Sequence, residues 1–170
     1  LFFLQLLMAL KKNYIKNRTG KEFLERGPYV KSIYNNLNFE LTNAQIKVLR
    51  EIRDDLKSNQ PMNRLIQGDV GSGKTIVAIL AASIVVGNNH QVAIMAPTEI
   101  LAEQHYISFL EYCDKVNINC QILVGAHTNK EKNAIKEDLR NGTIQLIVGT
   151  HALIQKDVEF HNLGMIIIDE

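Results

Sequence analysis

A glycine-rich stretch in the first half of the chain has the spacing of a phosphate-binding loop. It reads Gly68-Asp69-Val70-Gly71-Ser72-Gly73-Lys74-Thr75 and fits the pattern G-x-x-x-x-G-K-[ST]. The glycines let backbone N–H groups turn inward toward a β-phosphate, which side chains would block. Lys74 can place a charge between the β- and γ-phosphates, and the Thr75 hydroxyl can bind Mg²⁺. The stretch therefore predicts a nucleoside triphosphate site; a glycine-rich turn that binds nothing is the alternative.

Two carboxylates close the chain in a position that could complete such a site. Asp169 and Glu170 follow the apolar run Met165–Ile168, which is typical of a buried strand. An aspartate placed there can enter the coordination sphere of Mg²⁺, and the adjacent glutamate can orient and deprotonate an attacking water. The alternative is a strand that simply runs out into solvent with two charged residues. With a phosphate loop upstream, the pattern favours hydrolysis and not only binding.

The elements that must position these groups alternate between strand-like and helix-like segments. The predicted strands are Asn63–Gln67, Gln91–Ala96, Cys120–Val124, Thr143–Val148 and Met165–Asp169. The predicted helices are Lys74–Val86, Glu99–Tyr112, Asn129–Arg140 and a short one after Thr150, and two capping boxes, Thr42 with Gln45 and Thr128 with Glu131, each open a helix. This alternation predicts an α/β fold with a parallel, doubly wound sheet. Ligands of such sheets bind beyond the carboxyl ends of the strands.

The first 34 residues differ in charge from the remainder. They hold seven Lys or Arg residues against two Glu residues, whereas the remainder holds 12 against 16 Asp or Glu residues. A basic arm of this kind suits contact with a polyanion, and a solvated helix face is the alternative. Residues 1–18 are compatible with a helix, residues 18–28 with a linker, and residues 29–36 with a second short helix. Because the chain begins with Leu1 and not Met, we expect a piece of a longer protein.

Cysteine usage and the apolar start of the chain bear on its compartment. Cys113 and Cys120 lack the paired spacing of a metal site, and two unpaired thiols suit a reducing cytoplasm. Residues 1–10 are too few to span a bilayer, and no basic residues precede them as in a signal peptide. We therefore expect a cytoplasmic protein with no membrane role.

Four segments, taken in order, resemble motifs I, Ia, Ib/Ic and II of superfamily 2 helicases: Gly68–Thr75, Ala96–Glu99, Gly149–His151 and Asp169–Glu170. The longer strings at residues 61–75, 95–105 (MAPTEILAEQH) and 149–155 (GTHALIQ) resemble the RecG-type ATP-dependent DNA helicases, which act on branched DNA. The resemblance runs from about Phe39 to the last residue. Residues 1–34 fit loosely, as the segment that links a DNA-binding wedge domain to the motor. An Mfd-type duplex translocase, and a nucleotide hydrolase that does not act on nucleic acid, are the alternatives.

The resemblance implies roles in ATP binding and hydrolysis with Mg²⁺ as the cofactor. The catalytic residues would be Lys74, Asp169 and Glu170, and the metal ligands Thr75 and Asp169. Nucleotide would bind along residues 68–75, with Phe39, Thr42 and Gln45 in the region that reads adenine. The capping-box interpretation of Gln45 competes with this role, because a side chain bonded to backbone is not free to read a base.

Two further groups of residues would contact DNA through its phosphates. They are Pro97, Thr98 and Glu99, and Gly149, Thr150 and His151, each at a point where a strand ends and a helix begins. Free N–H groups at such points can hold a phosphate without reading sequence. Thr98 and Thr150 are also good N-caps, so ordinary capping is the competing interpretation. Without the resemblance, His105 and His151 would be taken for surface or core histidines.

The resemblance also implies a fold and a division of the chain. Residues 37–170 would form the first RecA-like P-loop NTPase lobe, with helices on both faces of a parallel sheet that is incomplete at its C-terminus, and residues 1–36 a preceding helical segment. The partners would be DNA, a second motor lobe and a wedge domain of the same parent protein. Because the second lobe supplies an arginine finger worth roughly 10³–10⁵ in rate, we expect these residues alone to bind nucleotide weakly and hydrolyse it negligibly.

Overall fold

The computed structural model describes residues 2–16, 19–25 and 27–169. Within them lie six α-helices and four β-strands, interspersed with 3₁₀ turns at Asp114–Val116 and His151–Ile154. The order is α1 (Phe2–Lys16), α2 (Pro28–Asn35), α3 (Asn43–Lys57), α4 (Lys74–Gly87), β1 (Gln91–Met95), α5 (Glu99–Cys113), β2 (Cys120–Leu123), α6 (Asn129–Arg140), β3 (Leu146–Gly149) and β4 (Leu163–Ile168). The predicted α/β class is confirmed. Among the described residues, no helix has the length and apolar character needed to cross a bilayer.

The four described strands form one parallel sheet in the order β2-β3-β1-β4. At the carboxyl end of β1, Met95 is in register with Gly149 of β3 on one side and Ile168 of β4 on the other. Because parallel strands end at a common edge, the segments that follow Met95, Gly149 and Ile168 start side by side. All three of these segments hold candidate site residues.

Side chains on the two faces of the sheet enter two separate hydrophobic clusters. Val92 and Ile94 of β1 point into the larger cluster, which α2, α3, α4 and α5 cover, and Ala93 points into the smaller one. The smaller cluster includes Leu139 of α6 and Leu153 of the second 3₁₀ turn. Residues at even and odd positions of one strand thus face opposite layers, as period-two geometry requires. The prediction of helices on both faces is confirmed.

The prediction of a strand at Asn63–Gln67 is wrong for the structure described here. These residues have no strand conformation, and Leu65 is 87% exposed. Arg64 instead bonds to two carboxylates of α3, with 2.6 Å from Nη1 to Glu51 Oε2 and 2.7 Å from Nε to Asp55 Oδ2. The hydrogen bond to Asp55 is the largest of several contributions that raise the pKa of Arg64. The segment therefore lies against α3 without joining the ladder beside β4.

The remaining predicted boundaries differ from the structure by at most three residues, and both capping boxes are present. Thr42 accepts a hydrogen bond from the Gln45 backbone N–H, and Thr128 from that of Glu131, with the reciprocal side-chain bonds in place. Thr98 caps α5 by accepting from Leu101 N–H at 3.3 Å. Thr150 makes no such side-chain bond, so its prediction as a capping side chain is wrong. Its extended backbone ends β3 without turning the hydroxyl onto the following N–H groups.

Residues 19–25 lie across the lobe as a strap. Phe23 is buried in the larger cluster and its ring meets the His90 ring edge-on at 5.0 Å between centroids. Arg53 of α3 donates to the carbonyl oxygens of Phe23, Leu24 and Glu25. Lys21 donates to Asn162 Oδ1 and to the Leu163 carbonyl oxygen, so this member of the basic arm is engaged by the protein itself.

Helix α1 precedes the strap and exposes many of its apolar side chains. Phe2, Phe3, Leu4, Leu7, Met8 and Leu10 are each more than 60% exposed. The helix predicted within residues 1–18 is thus present. The division of the chain near residue 36 stays a prediction, although Ile33 of α2 is buried in the core of the lobe.

Candidate functional site

The predicted phosphate loop connects residues 61–67 to the first turn of α4. Gly71 and Gly73 have φ of 78° and 79°, in the left-handed region that favours glycine. Ser72 N–H donates to the Asp69 carbonyl oxygen at 3.1 Å and closes a tight turn. Lys74 Nζ donates to the carbonyl oxygens of Gly68 (2.8 Å) and Asp69 (3.0 Å). The cation therefore sits at the mouth of its own loop, where phosphate oxygens could replace the two carbonyls.

Gln45 joins the capping box of α3 to this loop. Its Oε1 accepts from Thr42 N–H at 2.8 Å, and its Nε2 donates to the Ser72 carbonyl oxygen at 2.9 Å. A Cβ built on Gly73 would lie 2.3 Å from the same Nε2, so a larger residue there would displace the Gln45 amide in addition to straining φ. One conformation of Gln45 thus serves the cap and the loop together.

The course of α4 places the loop at the same edge as the strand ends. Residues 88–90 connect α4 to the start of β1, and α4 packs against both β1 and β4. The helix therefore runs back along the sheet, and its N-terminus points toward the carboxyl edge. The partial positive charge of that N-terminus adds to the field at the loop.

Asp169 is the first residue after β4, and two bonds anchor it. Its N–H donates to the Met95 carbonyl oxygen at 2.9 Å, and its Oδ2 lies 2.6 Å from Nε2 of His105 on α5. The carboxylate is 39% exposed and the imidazole 20%. Glu170, the predicted water-orienting residue, lies outside the described residues.

The two predicted DNA-contacting groups begin at neighbouring strand ends. Ala96 N–H donates to the Gly149 carbonyl oxygen at 2.9 Å, which ties the start of one segment to the other. Pro97, Thr98 and His151 are exposed, whereas Gly149 is buried. The structure therefore brings residues 97–99 and 149–151 together on one edge, next to Asp169. Phe39, predicted to lie near the adenine, precedes the N-terminus of α3 and is 49% exposed.

Sequence reasoning missed the contact between His105 and Asp169. The two residues are 64 positions apart, and His105 by itself resembles an ordinary half-buried histidine. The strand order was the one feature that could have indicated this contact. Helix α5 follows β1 directly, and β1 pairs with β4, the strand that ends just before Asp169. Gln45 was recognised, but its bond to Ser72 was not.

Metal binding by these residues would depend on oxygen ligands from outside the chain. Among the described residues, no group of three or more His, Cys, Asp or Glu side chains could hold a metal ion. A threonine hydroxyl and one carboxylate are hard oxygen ligands, which suit Mg²⁺ because that ion usually keeps several waters and binds substrate phosphates. The donor set of Thr75 and Asp169 therefore fits Mg²⁺ in company with a nucleotide.

A phosphate loop that opens a helix on a parallel sheet, with an aspartate after an adjacent strand, defines a P-loop nucleotide-binding lobe. A family model described as DEAD/DEAH box helicase matches residues 42–170. The chain belongs to this helicase family, whose members use a nucleotide.

Individual relatives narrow the comparison within that family. The chain is 47% identical to the ATP-dependent DNA helicase RecG of Aquifex aeolicus and 48% identical to that of Thermotoga maritima, over 170 residues in each case. It spans 22% of the length of both relatives. A solved structure of RecG bound to a three-way DNA junction matches this chain with a TM-score of 0.92 and 48% sequence identity. The match covers 99% of this chain and 23% of the RecG chain in that structure. The resemblance to RecG-type helicases and the RecA-like fold are thereby confirmed.

Proposed function

We propose that this chain forms the first motor lobe of a RecG-type helicase that couples ATP hydrolysis to the remodelling of branched DNA. The observation that carries the proposal is the match to RecG over 99% of the chain at a TM-score of 0.92, and the phosphate-loop motif and Asp169 in the sequence support it. Residues 37–170 would form the lobe, and residues 1–36 would lead from a wedge domain. Because the matched RecG relatives come from bacteria, whose DNA lies in the cytoplasm, we place this protein in the cytoplasm as well.

The residues of the loop suggest how nucleotide is held. Backbone N–H groups of residues 71–75, at the start of α4, would bind the β-phosphate, and Lys74 would exchange its two carbonyl acceptors for phosphate oxygens. Thr75 and Asp169 would hold Mg²⁺, which when bound neutralises charge that develops on the transferring phosphoryl group. Glu170 would orient the attacking water. Gln45 supports the loop from the side through Ser72, which favours a positioning role over direct reading of adenine.

Residues 97–99 and 149–151 would contact the DNA backbone. Exposed backbone at two adjacent strand ends can accommodate a phosphate at each, and such contacts carry no sequence information. A motor that acts on DNA by structure, and not by sequence, needs contacts of this kind.

The experiment is the ATPase rate of the full-length protein alone, with linear duplex DNA and with a synthetic fork. Stronger stimulation by the fork than by the duplex is expected for a RecG-type motor. Lys74→Ala should abolish nucleotide binding while thermal unfolding stays unchanged, because Lys74 bonds only within an exposed loop. Lys31→Ala, on an exposed site of α2, is the matched control. A rate that no DNA changes would remove the helicase assignment and leave a nucleotide hydrolase; stimulation without fork unwinding would favour an Mfd-type translocase.

A further inference from the structure

Asp169 is held from two points that belong to one continuous segment of chain. Its backbone bonds to Met95, the last residue of β1, and its carboxylate bonds to His105 on α5. The predicted DNA-contacting residues 97–99 lie between these two anchors. A displacement of that segment by a phosphate would therefore reach Asp169 through its main chain and through its side chain.

The charge of the Asp169 carboxylate determines which of the two residues donates in its contact with His105. An ionised carboxylate only accepts, so the 2.6 Å contact is a hydrogen bond from Nε2–H of His105 to Oδ2 of Asp169. This bond occupies Oδ2 and fixes the orientation of the carboxylate group, so that Oδ1 remains available for a metal ion. Carboxylates that bind metal ions are commonly oriented by such a partner, whose removal costs roughly 10–100-fold in metal affinity or activity.

Helix α5 connects the histidine rigidly to the DNA-facing edge. It begins after the Thr98 cap and continues without a break from Glu99 to Cys113. His105 lies less than two turns from Glu99, or about 9 Å along the helix axis. Ala102 and Phe109 of the same helix are buried in the core, so the helix is packed against the sheet on both sides of His105.

We propose that His105 is a positioning residue: it orients Asp169 for Mg²⁺ and links that metal ligand to the helix that starts at the DNA-contacting segment. This inference rests on the proposed function, because it needs Asp169 to bind Mg²⁺ with nucleotide. The competing explanation is a plain structural tie between α5 and the end of β4. A structural tie would alter the unfolding temperature without a specific effect on the metal.

The test compares His105→Leu, which removes the donor, with His105→Gln, whose side-chain amide restores an N–H near the position of Nε2. Gln104→Leu, at an exposed neighbouring position of α5, is the matched control. In the full-length protein, affinity for a fluorescent ADP analogue is measured with Mg²⁺ and with EDTA. His105→Leu should weaken binding roughly 10–100-fold with Mg²⁺ and leave binding in EDTA unchanged, while His105→Gln recovers most of the loss.

The coupling to DNA is read from the Mg²⁺ concentration that half-saturates ATPase activity, with and without a fork. His105→Leu should raise that concentration and reduce the stimulation by DNA; full stimulation in this variant would overturn the link to α5. Equal losses of nucleotide affinity with Mg²⁺ and with EDTA, or no loss in either, would overturn the positioning role. If His105→Leu does not fold, His105→Asn, which is polar but too short to reach Oδ2, replaces it with the same expectations. Failure of the proposed function itself would show separately, as wild-type ATPase indifferent to DNA.

Discussion

Gln45 and Ser72 are joined by a 2.9 Å hydrogen bond from the side-chain amide of one to the carbonyl oxygen of the other. The bond couples the first turn of α3 to the phosphate loop, 27 residues further along the chain. The loop is otherwise exposed, so this contact is one of the few that constrain its shape from outside. It also decides what Gln45 can do, since both ends of its amide are engaged by backbone.

Gln45→Glu separates the two bonds that Gln45 makes. The carboxylate keeps the reciprocal cap, since Glu is as suitable as Gln there, but it presents an acceptor to the Ser72 carbonyl oxygen. We expect an unchanged unfolding temperature and weaker binding of ATP and GTP alike, measured by titration calorimetry. Gln45→Ala should lose about 0.5–1.5 kcal/mol of stability in addition, because the hydrogen bond from Thr42 N–H is lost while the Thr42 hydroxyl still accepts from the backbone N–H of residue 45. A defect confined to ATP would instead show that Gln45 reads adenine.

Gly73→Ala and Gly71→Ala form a matched pair. Both glycines have φ near +78°, so each substitution introduces about 1–2 kcal/mol of backbone strain. Only at Gly73 would the new Cβ meet Gln45 Nε2, whereas at Gly71 no atom lies within 4 Å. Nucleotide affinity should fall further in Gly73→Ala. Adding Gln45→Ala should then weaken binding little in the Gly73→Ala background and clearly in the Gly71→Ala background; equal effects in both would contradict this account.

Arg53→Met tests the strap formed by residues 19–25. The guanidinium donates to three consecutive carbonyl oxygens, and hydrogen bonds from a charged donor contribute about 1.5–3 kcal/mol each when partners are left unpaired. We expect a loss of about 2–4 kcal/mol in unfolding free energy and faster amide exchange in residues 20–25. Arg50→Met, on the exposed face of α3, serves as the control. Unchanged exchange in Arg53→Met would mean that the burial of Phe23 and the bonds of Lys21 hold the strap without Arg53.

Thr128→Val tests the cap of α6 through the ionisation of Glu131. The Thr128 hydroxyl and N–H both donate to the carboxylate and hold the pKa of Glu131 below its ordinary value. A lowered folded-state pKa contributes stability above the unfolded pKa, and that contribution disappears as pH falls through the folded pKa. In Thr128→Val the pKa of Glu131 should rise, as NMR titration of the side-chain carboxyl would show. The acid side of the stability profile should flatten accordingly.

Local signals predicted the parts of this structure that short stretches of chain determine. Both capping boxes and α4 follow from patterns within a few residues, because their hydrogen bonds close over three or four positions. The four strands were indicated by continuous apolar runs, although their hydrogen bonds join segments far apart in the chain. The strand expected at Asn63–Gln67 is different, since a strand exists only where a neighbour pairs with it. The α3 carboxylates that bind Arg64, Asp55 and Glu51, lie 9 and 13 positions earlier in the chain, and no local sequence pattern predicts these contacts.

The candidate site divides in the same way. The loop, Asp169 and the segments after β1 and β3 were predicted from motifs, and the sheet register explains why three of these meet at one edge. The bond between His105 and Asp169 and the bond between Gln45 and Ser72 depend on how helices pack across the fold. Such tertiary contacts are set by the packing of whole elements, which residue types and spacing do not specify.

Strand β4 pairs with β1 on one side, and its other side carries no strand within the described residues. Ile166 and Ile168, which share one face of this edge strand, are 58% and 63% exposed. An uncovered apolar edge is a template for pairing with another polypeptide, so residues 1–170 produced alone should precipitate above a threshold concentration. Purification yield and shelf life of such a preparation would then be governed by colloidal behaviour and not by the free energy of unfolding.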